Sequence, residues 1–277
     1  MNDKRIAVIM SLYKNDVVDF VKLAVESILN QTYKELDYYI LYDGPIRAEV
    51  NEFLMNLAAQ DERVKIQRRE QNKGLAQSLN DLLELVMPMG YEFIARMDAD
   101  DISEQNRFAR QMTYFEAHPE VECLGSWATE ITSKGEEYFK KQMPVSHEGC
   151  LELFRVRDCM IHPTVMFRRS YIEKAGLYDL DTFFGEDTMM WAQGFVAGCT
   201  MGNVPEYLFR FRLDDSFFDR RRGWKYAKGI WQLRHRVNKM LGFGIKEDVY
   251  AIAYAVAKMM PKTILNIIYK KGRKVKD

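Results

Sequence analysis

"YEFIARMDADDIS", residues 91–103, runs a short apolar strand directly into three carboxylates, Asp98, Asp100 and Asp101, within four positions. Like charges this close repel, most strongly where protein displaces water. Two arrangements answer the repulsion. One is a solvated turn in which an Asp caps the next helix. The other is a divalent cation held by hard oxygen ligands, with a phosphate on its far side. What surrounds the turn decides between them.

Upstream, strand-like and helix-like patterns alternate. "RIAVIMSLY", "LDYYILYDG", "RVKIQRRE" and "YEFIARMD" read as buried strands. Between them, "DVVDFVKLAVESILNQ" sets Val18, Val21, Val25, Ile28 and Leu29 on one face and turns Asp19, Lys22 and Glu26 outward. "RAEVNEFLMNLAAQ" and "LAQSLNDLLELVM" repeat that spacing. The alternation predicts an α/β fold with a mainly parallel sheet in a three-layer sandwich. Ligands of such sheets sit outside the carboxyl ends of the strands. The acids at 98–101 fall at one such end and Asp43 at another, which favours the cation.

The 277 residues, 47% of them hydrophobic and 29% charged, suffice for a full core. "MNDKRIAVIM" reaches a strand without a long apolar stretch, so no secretory signal is read. Cys123, Cys150, Cys159 and Cys199 lack Cys-x-x-Cys spacing and read as reduced thiols of a cytoplasmic protein. The four histidines are scattered, which argues against zinc. Net charge is zero, but Trp224–Asp277 holds 13 Lys and Arg against 3 Asp and Glu, so an acidic body precedes a basic tail. The tail is also apolar, which favours an anionic membrane surface over nucleic acid. Lys258, Pro261 and Lys262 interrupt its apolar run, so it does not read as a membrane span. Ile252, Val256, Met259 and Met260, with Ile264 to Ile268, either pack on the body or lie in a membrane interface beside the basic end, Lys270–Lys276.

"VIMSLYKND" (8–16), "LYDGP" (41–45), "NKGLAQSLN" (72–80), "MDADD" (97–101), "HPTVMFRRS" (162–170) and "GEDTMMWAQGFVAG" (185–198) occur in the order of a family 2 glycosyltransferase, which the chain resembles over about residues 5–215. The resemblance implies a GT-A, Rossmann-like domain over 1–215. Its nucleotide-binding half ends near 101 and its acceptor-binding half spans about 102–215, with a basic, helical C-terminal segment at 216–277. It further implies an inverting, metal-dependent transfer from a nucleotide-sugar, read as a UDP-sugar, to a hydroxyl of a glycan or lipid-linked acceptor in polysaccharide biosynthesis. A nucleotidyltransferase acting on sugar phosphates is the alternative, although no Gly-rich basic loop follows the first strand. The expected place is the cytoplasm, peripheral to the inner face of the membrane.

Position by position, the resemblance assigns the metal, Mn2+ or Mg2+, to Asp98 and Asp100, with Asp98 also on the diphosphate. Asp101 then caps a helix expected near Ser103 or holds a metal-bound water. Ser11 and Tyr13 fall to the nucleotide-sugar, the Tyr13 ring stacking on the base. Asp43 falls where the family's second acid meets the imino hydrogen of uracil, while Tyr42 replaces the first. Asn72, Lys73 and Gly74 approach base and ribose. Asp187 matches the catalytic base, and Glu186, its rival, orients acceptor or base. His162 is either a structural hydrogen bonder or a substrate contact. Many relatives carry a metal-binding histidine near Arg212. Here Arg210, Arg212 and Arg220–Arg222 stand instead, as diphosphate ligands or an ion-paired turn.

Overall fold

The computed structural model describes residues 4–182, 185–213 and 221–260. Four parallel strands form the first half of the sheet: β1 (Ile6–Leu12), β2 (Leu36–Asp43), β3 (Val64–Arg69) and β4 (Phe93–Arg96). They alternate with α1 (Val18–Leu29), α2 (Ala48–Gln60) and α3 (Leu75–Val86). The second half is mixed. It contains β5 (Ile102–Ser103), β6 (Val121–Thr132), β7 (Glu137–Lys141), β8 (Met166–Arg168) and β9 (Thr200–Leu213). The order is β3-β2-β1-β4-β8-β6-β9-β5, with β7 paired to β6. β6 and β9 run parallel, whereas β8 runs antiparallel to both β4 and β6. The expected mainly parallel sheet therefore gains antiparallel members only beyond β4.

Alternation along each strand builds the two outer layers. Ile6, Val8, Met10 and Leu12 face one core with Val21, Val25 and Ile28 of α1, Leu54 of α2 and Phe108 of α4 (Arg107–Ala117). Ala7 and Ile9 face the other, with Leu79 and Leu83 of α3. That second core also takes Tyr171 of α6 (Arg169–Ala175) and Trp191 of α7 (Glu186–Val196), while α5 (His147–Phe154) contributes Cys150 and Phe154. All four cysteines are buried and unbridged.

The first described helix of the C-terminal segment packs on the body. Ile230, Leu233 and Val237 of α8 (Trp224–Met240) join the second core. Buried Arg234 donates to the Phe154 carbonyl at 3.1 Å. Gly185 shows why this helix must dock. Its φ of +86° suits glycine, and a Cβ there would lie 2.3 Å from Leu233 Cδ2. The turn that opens α7 is thus shaped against α8. By contrast α9 (Ile245–Ala257) rests on α8 through small side chains, Ala251 and Ala255. No described helix is long and apolar enough to cross a membrane. Residues 214–220 and 261–277, including Arg220 and the basic end, lie outside the described residues.

Leu233→Ala should therefore destabilise the protein by about 2–5 kcal/mol, the usual range for a buried Leu truncation, in urea unfolding. Removal of residues 245–277 should leave one cooperative transition. A Leu233→Ala loss of under about 1 kcal/mol would make α8 an appendix after all.

Candidate active site at the carboxyl ends of the parallel strands

Parallel register brings the expected positions together. Leu12 pairs with Tyr42, Asp43 with Arg69 and Ile9 with Arg96, so Ser11, Tyr13, Asp43 and Asp98 all lie at one edge of the sheet. Tyr42 and Asp43 point to opposite faces. Tyr42 belongs to the first core beneath Arg68, whose guanidinium lies 5.2 Å from its ring centroid. The replacement of the family's first acid by Tyr42 therefore falls on the side of the sheet away from Asp43.

Asp43 is a structural clamp. Its Oδ1 accepts from Arg69 Nε at 2.8 Å, Arg69 Nη2 at 2.5 Å and the Lys73 N–H at 2.7 Å. Its Oδ2 accepts from Asn72 Nδ2 and the Gly74 N–H, both at 2.9 Å. Five protein donors meet a carboxylate that offers about four lone-pair directions. The carboxylate thereby holds loop 72–74, also expected at the nucleotide, against the strand end. Gly44 allows this closeness, since its φ is +81° and a Cβ would meet the Asn72 nitrogen at 2.8 Å. The side chains of Ser11 and Lys73 are not engaged in this clamp, and Tyr13 is 38% exposed, leaving its ring face accessible to a planar ligand.

The acids at 98–101 divide by role. Asp98 accepts from Arg96 Nη2 at 2.7 Å. Asp101 is buried, and its Oδ1 accepts the Arg212 N–H at 2.7 Å. It caps no helix, because 102–103 continue as β5 and α4 starts only at Arg107. Burial, and after it the charges of Asp100 and Asp98, push its carboxyl well above the usual range. Arg212 Nε donates to the Asp100 carbonyl at 2.7 Å, and its Nη1 to the carbonyls of Thr132 and Ser133. Arg210 donates to Glu104 at 2.6 Å. Both arginines thus brace the acidic turn and its neighbours.

Asp16 carries no signal of its own in the sequence. It accepts the Tyr13 N–H at 2.8 Å. Burial raises its carboxyl to about 7 despite that bond, and the charges of Asp100 and Asp98 push the same way. Three carboxylates thus crowd one edge without a described third ligand, since no group of three Asp, Glu, His or Cys among the described residues could hold a metal. Such a donor set fits a divalent cation that takes two protein carboxylates, Asp98 and Asp100, and completes its shell with phosphate oxygens and water.

α7 opens with Glu186 and Asp187. Asp187 Oδ1 accepts the Thr188 N–H at 2.8 Å, while the Thr188 hydroxyl donates to Asp158 at 2.8 Å. Burial, then the charges of Asp158 and Glu186, raise the Asp187 carboxyl to about 7. Arg96, 1% exposed, links the two sides. Burial disfavours its charge, but Asp98, Tyr178 and Glu186 keep it protonated. Its Nε and Nη1 have no protein partner. His162 faces Arg96 from below. Its Nε2 pairs with the Tyr178 hydroxyl at 2.8 Å, its ring meets Trp191 edge-on, and burial with the Arg96 charge keeps it neutral. His162 is a structural hydrogen bonder. Arg96 was readable in principle, as a lone charge inside "FIARM".

Because Asp43 clamps Arg69 as well as loop 72–74, Asp43→Ala should cost about 3–5 kcal/mol, as for a broken buried ion pair, measured by denaturant unfolding. A variant of wild-type stability that loses only donor affinity would mean that Asp43 reads the base.

Comparison with known proteins agrees with this geometry. The sequence profile of glycosyl transferase family 2 matches residues 7–176. The chain is 30% identical over 271 residues to the amylovoran biosynthesis glycosyltransferase AmsE of Erwinia amylovora, covering 97% of this chain and 99% of that protein. It is 26% identical to the UDP-Gal:α-D-GlcNAc-diphosphoundecaprenol β-1,3-galactosyltransferase of Escherichia coli, covering 96% of each. Among solved structures, the mannosyltransferase PcManGT of Pyrobaculum calidifontis, in complex with GDP-Man and Mn2+, superimposes with a TM-score of 0.63 at 13% identity over 97% of this chain and 79% of that one. A sheet that carries its acids at the carboxyl ends of β1, β2 and β4, and a family match through all of those ends, identify the chain as a member of glycosyl transferase family 2, a glycosyltransferase of the GT-A fold.

Proposed function

We propose that the protein is an inverting glycosyltransferase of polysaccharide biosynthesis. It moves a sugar from a nucleotide-sugar, a UDP-sugar in our reading, to a hydroxyl of a glycan or lipid-linked acceptor. The observation that carries the reading is the buried Arg96 between Asp98 on the diphosphate side and the Glu186–Asp187 pair on the acceptor side. The donor and acceptor for which the Escherichia coli relative is named support the UDP-sugar and a polyprenol-linked acceptor. The nucleotidyltransferase alternative gains no support from the site or these relatives.

In this reading the Tyr13 ring stacks on the base, and Ser11 with loop 72–74 bounds the nucleotide. Asp98 and Asp100 would hold Mn2+ or Mg2+, whose charge would offset the negative charge building on the departing diphosphate. The Mn2+ in the PcManGT complex supports this. Asp187 takes the acceptor hydroxyl proton as that oxygen attacks the anomeric carbon from the face opposite the diphosphate, so configuration inverts. A base that titrates near neutrality suits the transfer, because it accepts a proton readily yet is ionised at working pH. Glu186 orients the acceptor. The basic segment 216–277 keeps the enzyme on the anionic inner face of the membrane.

Asp100→Asn should abolish turnover and remove the Mn2+-dependent part of UDP binding in titration calorimetry; a mutant that keeps that part would make the acidic turn purely structural. Asp187→Asn should bind donor normally but lose about 100- to 10,000-fold in kcat. The carboxylate is the working form, so wild-type kcat should climb about tenfold per pH unit below about 7 and level above it. A flat profile through that region, or a mutant retaining most of its kcat, would move the role to Glu186.

A further inference from the structure

The exposed side of α9 carries an apolar stripe. Ile245, Val249, Ile252, Val256 and Met259 are 83%, 58%, 50%, 51% and 53% exposed. Their spacing alternates four and three residues. The four within α9, Ile245 to Val256, share an arc of about 60° at about 100° per residue, and Met259 follows just past the helix end. The side that α9 turns to the protein is a different one, lined by Glu247, Ala251 and Ala255. Trp231 of α8 stacks on His235, which pairs with Asp248 at 3.1 Å, and Asp248 lies one turn before Ile252. Trp231, 39% exposed, thus lies on the helix that packs beside α9.

The surroundings of the stripe are basic. α8 holds five Lys and Arg and no Asp or Glu. The chain that follows, 261–277, holds six Lys and Arg against one Asp. A helix of thirteen residues offers a footprint of only about 200 Å2, from about 20 Å of length and about 10 Å of width. A stable dimer needs about 800 Å2 per partner. An interfacial helix has no such threshold, since apolar burial adds to attraction between basic residues and anionic lipid.

We propose that the α9 stripe is the membrane-contacting surface, inserting into the headgroup region of an anionic bilayer with Trp231 at its margin. The proposal rests on the membrane location proposed above and adds the surface that makes the contact. It also explains the mounting of the hairpin. Leu233 of α8 fills the space beside Gly185, two positions before Asp187, and Arg234 reaches Asp158 at 3.4 Å. The helix pair that meets the bilayer therefore adjoins the end of the site that receives the acceptor. A hydroxyl on a lipid-linked sugar reaches the base without leaving the surface.

The test uses the full chain with phosphatidylcholine vesicles, with and without phosphatidylglycerol, and compares wild type with Val249→Glu/Ile252→Glu and with a variant in which Lys270, Lys271, Arg273 and Lys274 become Gln. Wild type should sediment with anionic vesicles, shift its Trp emission to the blue and stay partly bound at high salt. The stripe variant should bind at least about tenfold more weakly and leave entirely at high salt, with unchanged melting temperature and donor hydrolysis. The tail variant should keep the salt-resistant part. If wild type binds no vesicle, the membrane location fails and the stripe proposal with it. If wild type binds and the stripe variant binds equally, the location stands and the stripe proposal falls. A wild-type dimer that the stripe variant dissolves with unchanged vesicle binding would make the stripe a contact between copies. A stripe variant that melts lower would show that the stripe is covered by the chain itself. Either result overturns the proposal.

Discussion

A guanidinium buried to 1% exposure, Arg96, draws on acids from both halves of the protein, Asp98 and Glu186. Its ion pair with Asp98 holds one acid of the 98–101 turn, and its charge is felt by Glu186 at the head of α7. Taking such a group out of water is costly unless partners compensate. Here the compensation comes from both halves of the protein, so the halves must stay in register for the cation to remain buried. Its unsatisfied Nε and Nη1 add to the cost of holding this centre together. Beneath it, neutral His162 and Tyr178 supply polar packing without a competing charge.

The remaining architecture brings acids to that cation from separate elements. The first four strands run parallel, so their carboxyl ends coincide. β9 then returns beside β6 and delivers Arg212 to the backbone of the acidic turn. The turn is thereby held from β9, through the Asp101 carboxylate and the Asp100 carbonyl, while Asp98 turns to Arg96. Loop 72–74 is treated the opposite way: Asp43 gives up its hydrogen-bonding capacity to fix it. One edge of the sheet therefore contains an acid that fixes a loop beside acids that pair with Arg96 and with the Arg212 backbone.

Much of this is legible in the residues. Long apolar strands and helices with a single buried face announce themselves by period, and β1 to β4 with α1 to α3 match the expected segments. The helix expected near Ser103 begins at Arg107, because β9 captures Ile102 and Ser103 as an edge pairing that no local pattern signals. Asp101 resembles a cap for the same reason: its partner, the Arg212 N–H, lies 111 residues away. Asp16 reads as one polar residue of a loop until folding sets it beside Asp98 and Asp100. The docking of α8 is hidden too. Its composition is basic, and only the small volume at Gly185 shows where Leu233 goes.

The electrostatics of the two acid groups make them unequal in a way that suits a transferase. At the strand ends, Asp98 is countered by a buried cation, so its negative charge is partly balanced. At the head of α7, burial and then the charges of Asp158 and Glu186 press on Asp187, so its carboxylate gains by taking a proton. The Thr188 N–H, and after it Arg221, work against that pressure. The head of α7 therefore favours a bound proton, while the Asp98 carboxylate is paired with Arg96. That difference follows from which charges each half contributes.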